Sequence, residues 1–307
     1  MYDLVETQQQ ILERSVLRQT FNWDTALCNP QRFTKDAPVL DCSTMGKIPG
    51  EEDKESLCST DFKNACFTAN QNFSGILKTT WMPMFMACEL LYGKGSYEML
   101  CQYHIPPVTL DQFVLEGNVL ELYMKICGQR RYDSYNNWLQ SVLSGVVKEV
   151  HPFATGDFTI SNQPHHDMES VYWIILWFLV TSWPNEVALE DLNLSISGRN
   201  SHHFIIRSML ARGTDMDTYP IVNFLANSKE IWELKLHPIY QLLAGMVADM
   251  GQYIAMRWSR FPDAPFWHSH EAFKRLLLKE IFRMTKDHNS VPIRGSIPPL
   301  TEEKPFC

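Results

Sequence analysis

The sequence predicts a mainly α-helical fold, and three observations carry that expectation. Residues 171–180, VYWIILWFLV, form an apolar run whose side chains cover every face of a helical wheel, the pattern of a helix enclosed by others. The carboxy-terminal third holds LHPIYQLLAGMVADMGQYIAMRW and SHEAFKRLLLKEIFRM, both with apolar residues at helical spacing. The 307 residues contain no repeat of fixed period and no long low-complexity tract, and 12% of them are aromatic, too much apolar surface for a disordered chain to leave solvated.

In chain order, residues 7–20 (TQQQILERSVLRQT) read as a short helix with Ile11, Leu12, Ser15 and Val16 on one face. Residues 28–60 are irregular, broken by glycine and proline, and carry the cluster Glu51, Glu52, Asp53, Lys54, Glu55, read as a solvated hairpin tip. WMPMFMACELLY, from Trp81, is a loop leading into a short helix that Gly93 closes. Helices are predicted at 111–127 and 135–150. The segment HHDMESVYWIILWFLVTSWP follows, with Asp167 placed to cap its helix and Pro184 to stop it. In the last helix, Phe273, Leu277, Ile281 and Met284 form a stripe opposite Lys274, Lys279 and Arg283, and the proline-containing tail after Asp287 reads as a loose extension. Any strands are expected within the first 80 residues.

Charge and cysteine usage exclude whole classes. A formal net charge of −8 disfavours a general nucleic-acid or anionic-membrane binder. The apolar run is ten residues long, against the ~20 a bilayer span needs, and MYDLVETQQQ has acids where a signal peptide needs bases. Eight cysteines without a C-x-x-C pair read as reduced thiols. An intracellular chain, cytoplasmic or nuclear, with a protein as substrate or partner and neither nucleic acid nor membrane, is the resulting expectation.

Several catalytic patterns fail. No G-x-S-x-G elbow and no G-x-x-x-x-G-K-[ST] phosphate loop occurs, and His270-Glu271 starts an H-E-x-x-H pattern that Lys274 breaks. The adjacent pairs His165-His166 and His202-His203 are read as capping or surface residues, because neighbouring side chains diverge on a regular element.

Three acids stand in apolar surroundings: Asp61, before Phe62; Glu89, within PMFMACELL; and Asp167, at the head of the apolar helix. Around them the chain resembles the carboxy-terminal lobe of the fungal-type protein kinase family. PMFMACELL is similar to that family's P-F-M-A-x-E-x-L, HHDMESVYWIILW to its H-D-x-E-S-x-x-W-x-x-x-W, and HSHEAFKRLLLKEI to its H-x-H-E-A-x-x-R-L-L-L-x-E-I. With Val39 to Ala65, the resemblance spans roughly residues 39–284, with gaps.

The resemblance implies a protein-kinase-like lobe in which Glu89 anchors the end of the activation segment and Asp167 hydrogen-bonds the catalytic-loop backbone, both as scaffold. The family's catalytic loop, H-R-D-x-S-x-G-N-I, corresponds to Val39–Ile48. Asp41 falls at the catalytic aspartate, but Val39 and Leu40 replace the preceding His and Arg, one extra residue intrudes, and Lys47 stands at the Mg2+-binding asparagine. A cation there repels the metal. Asp61-Phe62-Lys63 corresponds to the Asp-Phe-Gly motif, with Asp61 the Mg2+ ligand. Only 40 residues precede Asp41, without a Gly-rich loop or an Ala-x-Lys strand, so the ATP-covering lobe is missing from this sequence.

The implied organisation is an extension at 1–38, a kinase-like lobe at 39–287 with a helical insertion at about 95–160, and a tail at 288–307. The implied function is that of a degenerate, pseudokinase-like protein with impaired or lost ATP-dependent phosphotransfer. Two alternatives stay open. One is an active kinase with an atypical or truncated site, using ATP and Mg2+ with Asp41 as base; the other is a non-catalytic helical interaction module.

Overall fold

The computed structural model describes residues 85–92, 105–147, 163–184, 204–211, 219–256, 258–261 and 263–287, with strand segments at 16–18, 65–67 and 293–296. This part is mainly helical, as the apolar periodicities predict. Nine helices follow one another among the described residues: α1 Cys88–Tyr92, α2 Gly117–Cys127, α3 Gln129–Leu143, α4 Pro164–Thr181, α5 at 204–210, α6 Tyr219–Ala226, α7 Lys229–Lys235, α8 Ala244–Ala255 and α9 His268–Lys286. Short 3-10 turns at Leu110–Gln112, Pro238–Leu243 and Trp258–Arg260 join or precede them.

Helix α4 is the centre. It packs against α8 and α9, and every residue from His166 to Leu176 is buried. Its composition explains this: with apolar residues on all faces, no orientation leaves one side to water. Helix α8 packs in turn on α6 and α7. Gly251 permits a close approach of α8 to α6, since a Cβ there would lie 3.0 Å from the carbonyl oxygen of Leu225 and 3.4 Å from the Tyr172 hydroxyl.

Helices α2 and α3 touch each other and are joined at a single glycine. Gly128 (φ 82°) is the residue between them, in the left-handed region that glycine alone enters without a Cβ penalty. Their buried residues Val119, Tyr123, Tyr135 and Leu139 belong to the same apolar cluster as those of α4, α8 and α9.

Helix α9 differs from the expected two-faced helix. Its first eleven residues, His268 to Leu278, are all buried, Lys274 and Arg275 included. Only the last two turns present a polar face, because α2, α4 and α8 all pack on this helix.

The strands also depart from expectation. Val16–Arg18, read as part of a helix, is a strand (β1) paired antiparallel with Ala65–Phe67 (β2). Ser182–Pro184 (β3), directly after α4, pairs antiparallel with Ile293–Ser296 (β4). Strands are therefore not confined to the first 80 residues, and part of the carboxy-terminal tail is paired. A three-residue strand held by a partner 110 positions away leaves no local signature.

Candidate functional site

Of the five residues singled out from the sequence, Asp41, Lys47 and Asp61 lie outside the described residues. Glu89 and Asp167 lie within them, in α1 and the first turn of α4.

Helix α4 opens on Gln163, with Pro164 as its first residue, where the missing N–H costs nothing. Asp167 is therefore not the cap but the fourth helical residue, 5% exposed. His166 supplies the cap contact. Its Nδ1 accepts the Gln163 backbone N–H at 3.0 Å, so in the neutral ring the proton sits on Nε2, which donates to Glu89 Oε2 at 3.1 Å.

His165 approaches the same carboxylate, its Nε2 lying 3.7 Å from Glu89 Oε2, and the two imidazole rings meet edge to face at 4.2 Å. The expected divergence of this adjacent pair does not occur, because the Glu89 side chain reaches both rings at the open end of the helix. The His165 Nε2 is buried and makes no hydrogen bond.

Electrostatics follow from this placement. Burial alone would raise the Glu89 carboxyl, but His165 and His166 outweigh it and hold the group well below the usual carboxylate range. Burial, with His166 adding to it, pushes His165 down to about 4 against the pull of Glu89. At neutral pH the cluster therefore presents one carboxylate and an uncharged His165 ring.

A second acid, Glu169, ties α1 to α4. Its Oε1 accepts the backbone N–H of Cys88 at 2.7 Å and the indole N–H of Trp173 at 3.1 Å. Glu169 was not among the residues singled out, although it stands in the E-S pair of the HHDMES segment.

Farther along, α9 carries a buried ionic network toward the α2–α3 pair. Arg275 donates to Glu271 Oε1 at 2.8 Å, to Asn136 Oδ1 at 2.6 Å and to the Tyr132 carbonyl at 3.1 Å. Its guanidinium lies 4.3 Å and 4.4 Å from the ring centres of Tyr132 and Tyr135. Glu271 also accepts from the Tyr123 hydroxyl and from Arg131 Nε, the latter at 3.1 Å. The i, i+4 spacing of Glu271 and Arg275 is visible in the sequence and is the signal that could have found this pair.

An open groove of about 330 Å³ runs beside α7, α8 and α9. Its three cations are paired: Lys279 donates to the Gln112 carbonyl at 2.8 Å, Arg283 to the Leu242 carbonyl at 2.7 Å and to Glu280, and Lys229 lies 3.6 Å from Glu233. Such a lining offers no concentrated charge to a phosphate-bearing ligand.

Compared with family models, with curated proteins and with solved structures, the chain matches none.

Proposed function

We propose that the chain is a protein-kinase-like protein of the fungal type whose ATP-dependent phosphotransfer is impaired or lost. The observation that supports this reading most is the meeting of the three resembling segments. PMFMACELL leads into α1, HHDMESVYWIILW opens α4 and HSHEAFKRLLLKEI opens α9; Glu169 and Glu89 bind α1 to α4, and α4 packs on α9. Segments so far apart in sequence form one buried unit, as pieces of a kinase lobe would.

The proposed loss of activity rests on the sequence at 39–48. Phosphoryl transfer depends on positioning and on neutralising phosphate charge. Lys47 in place of an asparagine opposes the second metal, and Asp61, the one metal-ligand position kept, does not by itself hold Mg2+ and ATP at millimolar concentration. In this reading Glu89 and Asp167 are scaffold, and the chain acts in the cytoplasm or nucleus on, or with, another protein. No helix among the described residues is long and apolar enough to cross a membrane.

The test is a thermal-shift titration of the purified chain with ATP, with and without Mg2+. The degenerate reading predicts no saturable, metal-dependent rise in Tm at millimolar ATP. A rise that Asp61→Asn removes would favour the active alternative, since a ligand bound only by the native state stabilises it.

A second reading, the non-catalytic interaction module, is favoured by one surface feature. Leu234 on α7 is 75% exposed with Ile231 beside it one turn earlier, an apolar pair facing water. That reading predicts that Asp41→Ala and Asp61→Ala leave partner binding intact.

A further inference from the structure

We propose that Glu89, His165 and His166 form a binding site for a single divalent transition-metal ion, with Zn2+ as the fitting type. One donor atom from each residue lies within 4.8 Å of the other two. The distances to Glu89 Oε2, 3.1 Å from His166 and 3.7 Å from His165, bracket the separation of ~3.4 Å between ligands of a tetrahedral ion with bonds of ~2.1 Å.

Three further features bear on the site. The His165 Nε2 is buried without a hydrogen bond, an orphan that a cation would satisfy. Two imidazoles and one carboxylate are a donor set suited to Zn2+ or Co2+, whereas Mg2+ and Ca2+ take oxygen ligands. The side chains of His165 and Glu89 remain 12% and 11% exposed, which leaves the ion a way in.

Binding has a structural consequence specific to this site. His166 now carries its proton on Nε2, because Nδ1 accepts the Gln163 N–H. A metal on Nε2 moves the proton to Nδ1, and the Gln163 amide then loses its acceptor. Metal uptake is thereby coupled to the first turn of α4.

The experiment uses the full chain stripped with a chelator. Zn2+ is titrated by calorimetry, Co2+ by visible absorption, and the Gln163 amide is followed by 15N NMR during the Zn2+ titration. The expected result is one ion per chain, the absorption of four-coordinate Co2+, and a shifted Gln163 amide. His165→Phe, which removes a buried Nε2 that makes no hydrogen bond and lies 3.7 Å from Glu89, should fold as the parent does and lose the saturating phase; Glu89→Gln should lose it too. His202→Ala/His203→Ala should retain it. Absence of saturable binding, binding that survives His165→Phe, or stoichiometric binding that leaves the Gln163 amide unmoved would each overturn the proposal.

Discussion

Replacing Arg275 with methionine tests whether the α2–α3 pair is locked to α9 by the buried ionic network. Arg275 and Glu271 are both fully buried, and their contact is 2.8 Å. Removing one partner of a buried pair leaves the other uncompensated, at a cost of about 3–5 kcal/mol. Glu271 keeps Arg131 at 3.1 Å and the Tyr123 hydroxyl, so the cost should lie at the lower end, about 3 kcal/mol. For a chain of 307 residues that corresponds to a fall in Tm of about 5 °C. Methionine retains much of the stem volume, so the loss reports charge and hydrogen bonding more than a cavity. The assay is urea unfolding followed by circular dichroism, with the midpoint falling and the slope unchanged. Arg131→Met, whose side chain is 27% exposed, should cost only about 1 kcal/mol. A loss below about 1 kcal/mol for Arg275→Met would refute the reasoning, because it would mean that Glu271 needs no buried counter-charge.

Three other outcomes are expected from the same unfolding assay. Glu169→Leu leaves the Cys88 amide and the Trp173 indole without their shared acceptor and should cost about 2–4 kcal/mol; a neutral result would show that α1 is not held by this contact. Gly251→Ala puts a Cβ 3.0 Å from the Leu225 carbonyl oxygen and should cost about 1–3 kcal/mol by forcing α8 and α6 apart; unchanged stability would mean the helices separate freely. His270, pushed down to about 3 by burial and then by Lys274 and Arg131, binds its proton in the unfolded chain near its ordinary 6.5. The native state therefore loses stability as pH falls from 6.5 toward 3, by up to ~1.4 kcal/mol per pH unit. His270→Leu should flatten that slope between pH 6 and 4, and equal slopes in the two proteins would contradict it.

How far the sequence speaks depends on whether a feature is local. The enclosed character of α4 is written in its composition, and its end near Thr181 is within three residues of Pro184. Its start was misplaced because Asp167 is a good capping residue by type, whereas the contact is made by the His166 ring reaching back to Gln163. For α3, expected at 135–150 and found at Gln129–Leu143, the glycines that set the limits were there to be read: Gly128 and Gly145 both have positive φ. The predicted helix at 111–127 is divided, with a 3-10 turn at Leu110–Gln112 and α2 starting only at Gly117.

Nonlocal features were beyond reach. The polar stripe assigned to α9 assumed water along Lys274, Lys279 and Arg283; Lys279 is half-buried and Arg283 exposed, but Lys274 is fully buried, its Nζ 3.8 Å from the Cys127 Sγ of α2. The convergence of Glu89, His165 and His166 likewise depends on how α1 docks across the mouth of α4, which spacing does not encode. The scaffold acids suggested by the family resemblance are both buried; the residues suggested for catalysis lie outside the described part.

The most direct test of the kinase-like arrangement is hydrogen exchange of the backbone amides at residues 39–48 in the parent chain and in Asp167→Ala. A kinase-like lobe requires the Asp167 carboxylate to accept N–H groups of that loop. Its removal should then speed exchange there, while the amides of α8 and the buried part of α9 stay protected. Unchanged exchange across 39–48, in a variant that remains folded, would contradict the kinase-like reading of Asp167 and of the lobe around it.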